Sequence, residues 1–165
     1  ADKDGRTTLM FAAENGNIAV LRALLGRGAK AERGDNQLRT ALTFAVLGRM
    51  MDAVAVLAAV GAPLDAQDAE GKTALLHAAE QGDAAMVRLL AEHNASLDIQ
   101  DNNGDSALLL AVKRHDGPVI SELVRQGASL EIADRLGKTW KRYANADDAA
   151  IIEVNLAAAK KGGNQ

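Results

Sequence analysis

The chain has 165 residues, of which 48% are apolar and 25% charged; these values are typical of a folded globular domain and exclude a disordered or collagen-like chain. Its formal charge of −3 argues against a surface for duplex nucleic acid, and its longest apolar stretch, 53–60, is too short to cross a bilayer. Cysteine is absent, which excludes disulfides and thiolate metal sites, while 55 alanines and leucines and only four aromatic residues favour closely packed helices.

The dominant feature of the sequence is a repeat of 33 residues without insertions or deletions. In each copy a threonine or serine follows an aspartate five positions later, and an alanine follows ten positions later. A period of this length is typical of solenoids, whose units bury their apolar faces only by stacking on neighbours. The aspartates that mark the register are Asp2, Asp35, Asp68, Asp101 and Asp134. The predicted repeats are 2–34, 35–67, 68–100, 101–133 and 134–165.

The third copy shows the predicted elements of one repeat. Thr73 caps a first helix, and Gly82 interrupts the helical pattern. A second helix runs to Asn94, a residue type that accepts the left-handed conformation for which other copies use glycine. Residues 96–100 are expected to be extended and to turn into the next aspartate. Each repeat is therefore predicted to be a helix, a turn, a second helix and a projecting hairpin.

Three copies depart from this pattern. In the second, Gly48-Arg49 inverts the order of the turn residues, and in the fourth, Pro118 is suited to the first turn of a helix. The fifth carries Trp-Lys-Arg-Tyr at 140–143 where the others have small and apolar residues, as expected of a polar terminal cap. The lysines and glycines of 157–165 are expected to end the last helix.

These units resemble the ankyrin repeat. The first copy reads D-K-D-G-R-T-T-L-M-F-A-A-E-N-G and later L-L-G-R-G-A, against the family pattern D-x-x-G-x-T-P-L-H-x-A-A-x-x-G and L-L-x-x-G-A, and the resemblance covers residues 2–159. It implies an all-α repeat fold, an α-solenoid of helix-turn-helix-β-hairpin units in an elongated, curved stack that forms a single domain over 1–165. The family's proline and histidine in this pattern are missing from every copy.

The resemblance also implies protein binding. Partners of ankyrin domains usually contact the hairpin tips and the exposed side of the first helix of each repeat, and we call this surface the concave face. Carried over by position, with the large aromatic residue of the last repeat added, the predicted binding residues are Arg6, Glu14, Gln37, Leu38, Arg39, Leu47, Glu70, Lys72, Glu80, Gln81, Asn103, Asp105, Lys113, Arg114, Arg135, Leu136, Lys138 and Trp140.

The character of the concave face leaves two interpretations open. The five repeats carry formal charges of +2, −1, −4, −2 and +2, so a partner with a protruding basic element could dock on the acidic middle, although a solvated surface has the same counts. Four apolar residues at or near tips and helix ends are expected to meet solvent, either as anchors of an interface or as isolated surface residues, namely Leu38, Leu47, Met50 and Leu136. Trp140 is open in the same way, whereas Tyr143 aligns with Phe11, Phe44, His77 and Leu110, which are expected in the core.

No set of residues in the sequence points to an enzyme. His77, His93 and His115 are too far apart to share a metal, and His77 occupies a core position where we expect a buried, hydrogen-bonded imidazole. Nucleophile-elbow, phosphate-loop and dinucleotide motifs are missing. The recurring aspartates are typical of turns in which the carboxylate binds the backbone two residues on. We therefore predict no catalytic, cofactor or metal site.

We predict a protein-binding module, and two roles are compatible with it. The first is a periplasmic inhibitor or immunity protein of a bacterial envelope, which binds and occludes an enzyme such as a hydrolase. Small size, the lack of cysteine and a start at Ala1 rather than Met favour it. The alternative is a cytoplasmic scaffold or adaptor with no inhibitory role. In either role we expect a monomer whose partner is another protein, with no nucleic-acid partner and no membrane insertion.

Overall fold

The computed structural model describes the backbone of residues 1–162 and the side chains of residues 1–159. Over that range the chain forms short helices joined by turns, without a β-strand. In chain order the helices are α1 (Thr8–Glu14), α2 (Ile18–Gly26), α3 (Ala41–Leu47), α4 (Met51–Ala59), α5 (Ala74–Glu80), α6 (Ala84–Glu92), α7 (Ala107–Lys113), α8 (Gly117–Arg125), a single 3-10 turn (Trp140–Arg142) and α9 (Ala146–Gly162). Within residues 1–162, no helix has both the length and the apolar character of a transmembrane span.

The first helix of each of the first four repeats begins at a hydroxyl cap. The Thr73 side chain accepts a hydrogen bond from the backbone N–H of Leu76 at 3.3 Å, as predicted, and Thr7, Thr40 and Ser106 cap their helices in the same way. Each of these helices has seven residues and is followed by a turn residue with positive φ, namely Gly16, Arg49, Gly82 or His115. The second repeat therefore keeps the turn by placing an arginine in the left-handed conformation.

The second helices of these repeats have nine residues each. Pro118 lies in the first turn of α8, as predicted. Asn94 adopts a φ of 69° after α6, which confirms its predicted left-handed conformation. The equivalent positions of the other repeats hold glycines in the same conformation, namely Gly28, Gly61 and Gly127.

The helices stack in two rows. In the inner row α1, α3, α5 and α7 pack side by side in sequence, and in the outer row α2, α4, α6, α8 and α9 do the same. A leucine at one repeat position is at most 3% exposed in four repeats, namely Leu9, Leu42, Leu75 and Leu108. Because each helix packs mainly on its neighbours, one continuous core runs along the stack. The predicted α-solenoid is confirmed.

The projecting hairpins are tight loops that are too short to contain strands. In all five loops the N–H of the repeat aspartate donates to the carbonyl oxygen four positions on, at 3.0 Å. The aspartate Oδ1 also accepts the N–H groups two and four positions on, at 2.8–3.0 Å. The backbone N–H three positions on donates back to the carbonyl oxygen of the aspartate at 2.9–3.1 Å, so two backbone hydrogen bonds close each loop. This arrangement confirms that the recurring aspartates serve turns.

The fifth repeat departs from the predicted helix-turn-helix pattern. A 3-10 turn replaces its first helix, and α9 begins earlier than the position equivalent to Gly117. The positions of the turn residues hold Asp147 and Asp148, which favour the first turn of a helix. Asn145 caps this helix by accepting the N–H of Asp148 at 2.8 Å. The residues expected to end α9, 160–165, lie outside the side chains that the structure describes.

Candidate protein-binding surface

Ion pairs join the hairpin tip to the end of the first helix and so build the concave face. The two segments lie eight residues apart within one repeat, and they meet through charged side chains in three repeats. The pairs are Arg6 with Glu14, Lys72 with Glu80 at 2.9 Å, and Lys113 with Asp105 at 2.5 Å. The fourth repeat carries the charges in reverse order. Because tip and helix end touch, the predicted binding residues of these two segments share one surface.

Lys72 lies between two carboxylates in the acidic middle of this surface. Its Nζ is 3.0 Å from Glu70 Oε2 and 2.9 Å from Glu80 Oε2. Burial on its own would lower the pKa of Lys72, but hydrogen bonds to Glu80 and Glu70 outweigh it and raise the pKa. The lysine side chain is 13% exposed and that of Glu70 is 71% exposed. The carboxylates therefore point outward over an enclosed cation.

Lys113 joins the fourth repeat to the fifth. Its Nζ lies 3.6 Å from Asp134 Oδ2 and 4.6 Å from the centre of the Tyr143 ring. Burial opposes the charge of Lys113, but its hydrogen bond to Asp105 outweighs that effect and raises the pKa. The ammonium group is thus a positive charge enclosed by partners from two repeats.

Arginine and phenylalanine side chains alternate at the first two repeats. The Arg6 guanidinium lies 4.1 Å from the Phe11 ring centre and 4.3 Å from that of Phe44, and Arg39 lies 4.8 Å from Phe44. Phe44 is buried, as the sequence predicts for this position, but Phe11 is 41% exposed. The core interpretation is wrong for Phe11, because no described part of the chain packs over its outer side.

The second carboxylate oxygen of the repeat aspartate takes a different partner in different repeats. Asp68 Oδ2 lies 2.7 Å from His77 Nε2, and Tyr143 donates to Asp134 Oδ2 at 2.5 Å from the equivalent position. The Tyr143 hydrogen bond is the main reason why the pKa of Asp134 falls to about 2, and the same bond raises the pKa of the Tyr143 phenol. His77 is therefore a buried, hydrogen-bonded imidazole, as predicted.

In the second repeat the repeat aspartate pairs with an arginine. Arg39 Nη2 donates to Asp35 Oδ2 at 2.7 Å. Burial would raise the pKa of Asp35, but the hydrogen bonds from the Arg39 side chain and backbone outweigh it and lower the pKa. Arg39 is thereby turned toward its own loop, since Leu47 stands at the helix end where other repeats supply a charged partner.

A cavity of about 170 Å³ lies between the second and third repeats on the concave face. Four predicted binding residues and three neighbours line it, namely Gln37, Arg39, Leu47, Glu70, Asp68, Ala69 and His77. Its walls combine the tips of two hairpins with the end of α3. Sequence reasoning brings these residues to one surface, but the concavity between them depends on how the repeats stack.

The predicted binding residues differ in exposure. Those that are exposed are Gln37, Leu38, Glu70, Asn103, Arg114, Arg135 and Leu136. Those that are partly buried are Arg6, Glu14, Arg39, Leu47, Lys72, Glu80, Gln81, Lys113, Lys138 and Trp140. Asp105 is buried, which corrects its assignment to the accessible surface, because Lys113 covers its carboxylate. Trp140 packs its ring against the core and has Lys141 Nζ 6.0 Å from the ring centre.

A second concavity, of about 900 Å³, lies on the outer side between α2 and α4. Small residues of the loop after α2 and of α4 leave it open, among them Gly28, Ala29, Ala55 and Ala59. Sequence reasoning missed this groove. The sequence feature that could have indicated it is the clustering of glycine and alanine at adjoining positions of two repeats, because these residues bring no large side chain to fill the space.

The histidines are separate in the structure as in the sequence. His115 Nδ1 lies 2.7 Å from Asp148 Oδ2 and so fastens the start of α9 to the fourth repeat. Among the residues that the structure describes, no three histidine, aspartate or glutamate side chains converge as a metal site.

Comparisons with known proteins identify a family and a similar fold. The family model for ankyrin repeats (three copies) matches residues 1–68 and 50–134. Among solved structures, the crystal structure of the ankyrin repeat domain of Bcl-3, described as a unique member of the IkappaB protein family, superposes with a TM-score of 0.85 at 32% sequence identity. The superposition covers 93% of this chain and 68% of that chain. A comparison with curated proteins finds no match.

Proposed function

The chain belongs to the ankyrin-repeat family, and we propose that it binds a partner protein with its concave face and thereby occludes an enzyme in a bacterial envelope. Ankyrin repeats are protein-interaction modules, so the binding of another protein is the general part of this function. The finer part concerns the partner, which we take to be an enzyme such as a hydrolase, and the location, which we take to be the periplasm.

The observation that carries the proposal is the preorganised concave face. Ion pairs between tip and helix end hold three repeats in one geometry, and backbone hydrogen bonds of 2.9–3.1 Å link each hairpin tip to the next. A surface that is ordered before binding loses less conformational entropy when a partner docks. Protein interfaces usually have an apolar centre and a polar rim. Here exposed Leu38 supplies the apolar centre beside a cavity, and the outward carboxylates supply the polar rim.

Occlusion follows from the extent of such a face. Solenoids present extended surfaces along several repeats, and a surface of that kind can cover the cleft of an enzyme without entering it deeply. The same face also suits a scaffold or adaptor, which would hold a partner without affecting its activity. The two roles differ in whether the bound partner keeps its activity.

The test is affinity capture of partners from separate periplasmic and cytosolic extracts of the native source, followed by activity assays on any captured enzyme. We expect a periplasmic hydrolase to be captured and its rate to fall at saturating protein. Glu70→Lys with Glu80→Lys should weaken capture and inhibition by about tenfold or more, because both carboxylates face outward on the concave face.

A charge-matched control is Glu92→Lys with Glu153→Lys, which changes exposed carboxylates on the outer helices α6 and α9. This variant should keep capture and inhibition. An unchanged rate for a saturated partner would reject inhibition in favour of the scaffold role, and capture from the cytosolic extract alone would reject the envelope location. Equal loss in both double variants would reject the concave face as the interface.

A further inference from the structure

We propose that the partner is anchored at the junction of the second and third repeats, where it places one apolar side chain on Leu38, Leu47 and Ala69 and an adjacent lysine or arginine on Glu70 and Glu80. We call these five residues the 2/3 junction. The inference rests on the proposed protein-binding function and names the chemistry of the segment that the concave face recognises.

Leu38 is the first departure that marks this junction. The other four tips have glycine at this position, with φ between 70° and 81°, and Leu38 adopts a φ of 61°. A leucine in the left-handed region is strained, because its Cβ crowds the backbone. The side chain is also 59% exposed, so burial within this chain does not offset the strain. This position therefore holds an apolar side chain in solvent although its backbone conformation destabilises the fold.

Ala69 is the second departure, and it makes the first one possible. A Cβ on Gly5 would lie 2.6 Å from Asn36 Oδ1, and one on Gly71 would lie 2.7 Å from Asn102 Oδ1. The third repeat has Ala69 where its neighbours have these asparagines, so no side-chain amide stands against Leu38. The two substitutions form a matched pair that replaces a polar contact between tips with an apolar spot.

Leu47 extends the apolar spot to the end of α3. The equivalent positions in three other repeats carry the charged partners of the tip residue, Glu14, Glu80 and Lys113. Leu47 makes no such pair, and it lines the cavity of about 170 Å³ together with Ala69. Leu38 is the chain neighbour of Gln37 and Arg39, which line the same cavity, so a partner's apolar side chain on Leu38 lies beside the space that Leu47 and Ala69 line.

The negative charge of Glu70 and Glu80 determines which residue of the partner can lie next to its apolar side chain. Glu70 and Glu80 are 71% and 42% exposed, and they share the single enclosed cation of Lys72. Arg39, which lines the same cavity as Glu70, is held by Asp35 at 2.7 Å. The carboxylates retain oxygen lone pairs toward solvent, which a lysine or arginine would fill with charge-assisted hydrogen bonds. The same negative rim repels phosphate, so a basic protein segment fits here better than a nucleic acid.

The test uses a random peptide library displayed on phage and selected on the wild-type chain alone. We expect the enriched peptides to carry an apolar residue next to lysine or arginine. Their affinity should fall about tenfold or more for Leu38→Gly and by a similar factor for Glu70→Gln with Glu80→Gln. Val154→Gln, which changes an exposed apolar side chain of α9 in the outer row, should stay within about twofold of wild type.

Leu38→Gly also separates binding from folding, because it restores the glycine of the other tips. Its melting temperature should equal or exceed that of the wild type while binding is lost. The double variant Leu38→Gly with Ala69→Asn rebuilds the glycine–asparagine contact of the neighbouring junctions and should behave in the same way.

Selection of acidic or uncharged peptides, equal affinity for Leu38→Gly, or no enrichment at all would each overturn the proposal. So would a lower melting temperature of Leu38→Gly, because the loss of binding would then follow from unfolding. A captured protein that binds wild type and Leu38→Gly equally would reject this anchor and leave the proposed function standing. The absence of any captured partner would count against the proposed function itself.

Discussion

The junction of the second and third repeats and that of the third and fourth share one backbone frame but carry different side chains. In both, a tip N–H donates to the carbonyl oxygen of the preceding tip at 2.9 Å, from Ala69 to Gln37 and from Asn102 to Glu70. The later junction places Asn102 against a glycine. The side-chain amide of Asn102 also donates a hydrogen bond to the Ala69 carbonyl oxygen at 3.0 Å. The earlier junction has leucine and alanine. The backbone hydrogen bond between neighbouring tips is therefore compatible with different side chains at the surface when both contacting residues change together.

The largest effect is expected when the leucine of one junction is moved to the other. Gly71→Leu places a Cβ 2.7 Å from Asn102 Oδ1 and 2.8 Å from its backbone nitrogen. Left-handed strain of about 1–2 kcal/mol and overpacking of about 1–3 kcal/mol should together lower the free energy of unfolding by about 2–5 kcal/mol in urea titrations.

The matched double variant tests whether the two positions are coupled. Gly71→Leu with Asn102→Ala reproduces the leucine–alanine pair and should recover about 1 kcal/mol, because the amide collision is removed while the backbone contact stays. Additive effects of the two substitutions would contradict the coupling that we infer for Leu38 and Ala69.

A second test asks whether the other departure of the second repeat, Gly48, serves packing rather than binding. A Cβ on Gly48 would lie 2.2 Å from the Glu14 carbonyl oxygen, where α3 approaches the end of α1. Gly48→Ala should therefore destabilise the fold by about 1–3 kcal/mol by overpacking. Thermal and urea unfolding measure the change.

Gly26→Ala is the control for this substitution. Gly26 is the last residue of α2 and, like Gly48, lies at a helix end, but a Cβ there meets nothing within 4 Å, so alanine should be neutral or stabilise α2 by up to about 1 kcal/mol. Equal unfolding free energies for Gly48→Ala and wild type would show that the inverted turn of the second repeat is not required by its contact with α1.

The smallest effect concerns the aspartate at the start of every hairpin, which both junctions share. In the last repeat the pKa of Asp134 is about 2, below its ordinary 3.8, chiefly because of the hydrogen bond from Tyr143. Since the folded pKa is lower than the unfolded one, this contribution to stability is present above about pH 4 and is lost as the pH falls toward 2. Tyr143→Phe should raise the pKa of Asp134 toward 3.8, measured by NMR titration of the carboxyl carbon.

The pKa of Asp35 provides the internal reference in that titration. Hydrogen bonds from Arg39 outweigh burial in lowering it, so it should stay unchanged in the Tyr143→Phe variant. The difference in stability between wild type and variant should also shrink in acid. An unchanged pKa of Asp134 would assign its low value to the backbone N–H groups of the loop instead.

Sequence reasoning succeeded where the interaction is local. The cap at Thr73, the left-handed Asn94 and the turn role of the aspartates all depend on contacts within a few residues, and all three are confirmed. It failed at Asp105, whose side chain is buried under a lysine eight residues later, and at Phe11, whose exposure depends on what packs beside it. The start of α9 was also missed, because Asn145 and Asp148 form a new cap in place of a turn.

The sequence by itself determined the register and the family, because a period of 33 residues with fixed caps and turn residues places the helices of the first four repeats. Only the tertiary structure decided which side chains meet across repeats. The cavity beside Leu47, the hydrogen bond from Ala69 N–H to the Gln37 carbonyl and the approach of Lys113 to Asp134 all join residues that are far apart in the chain. Their distances depend on how one repeat stacks on the next, and a pattern within one repeat carries no information about that spacing.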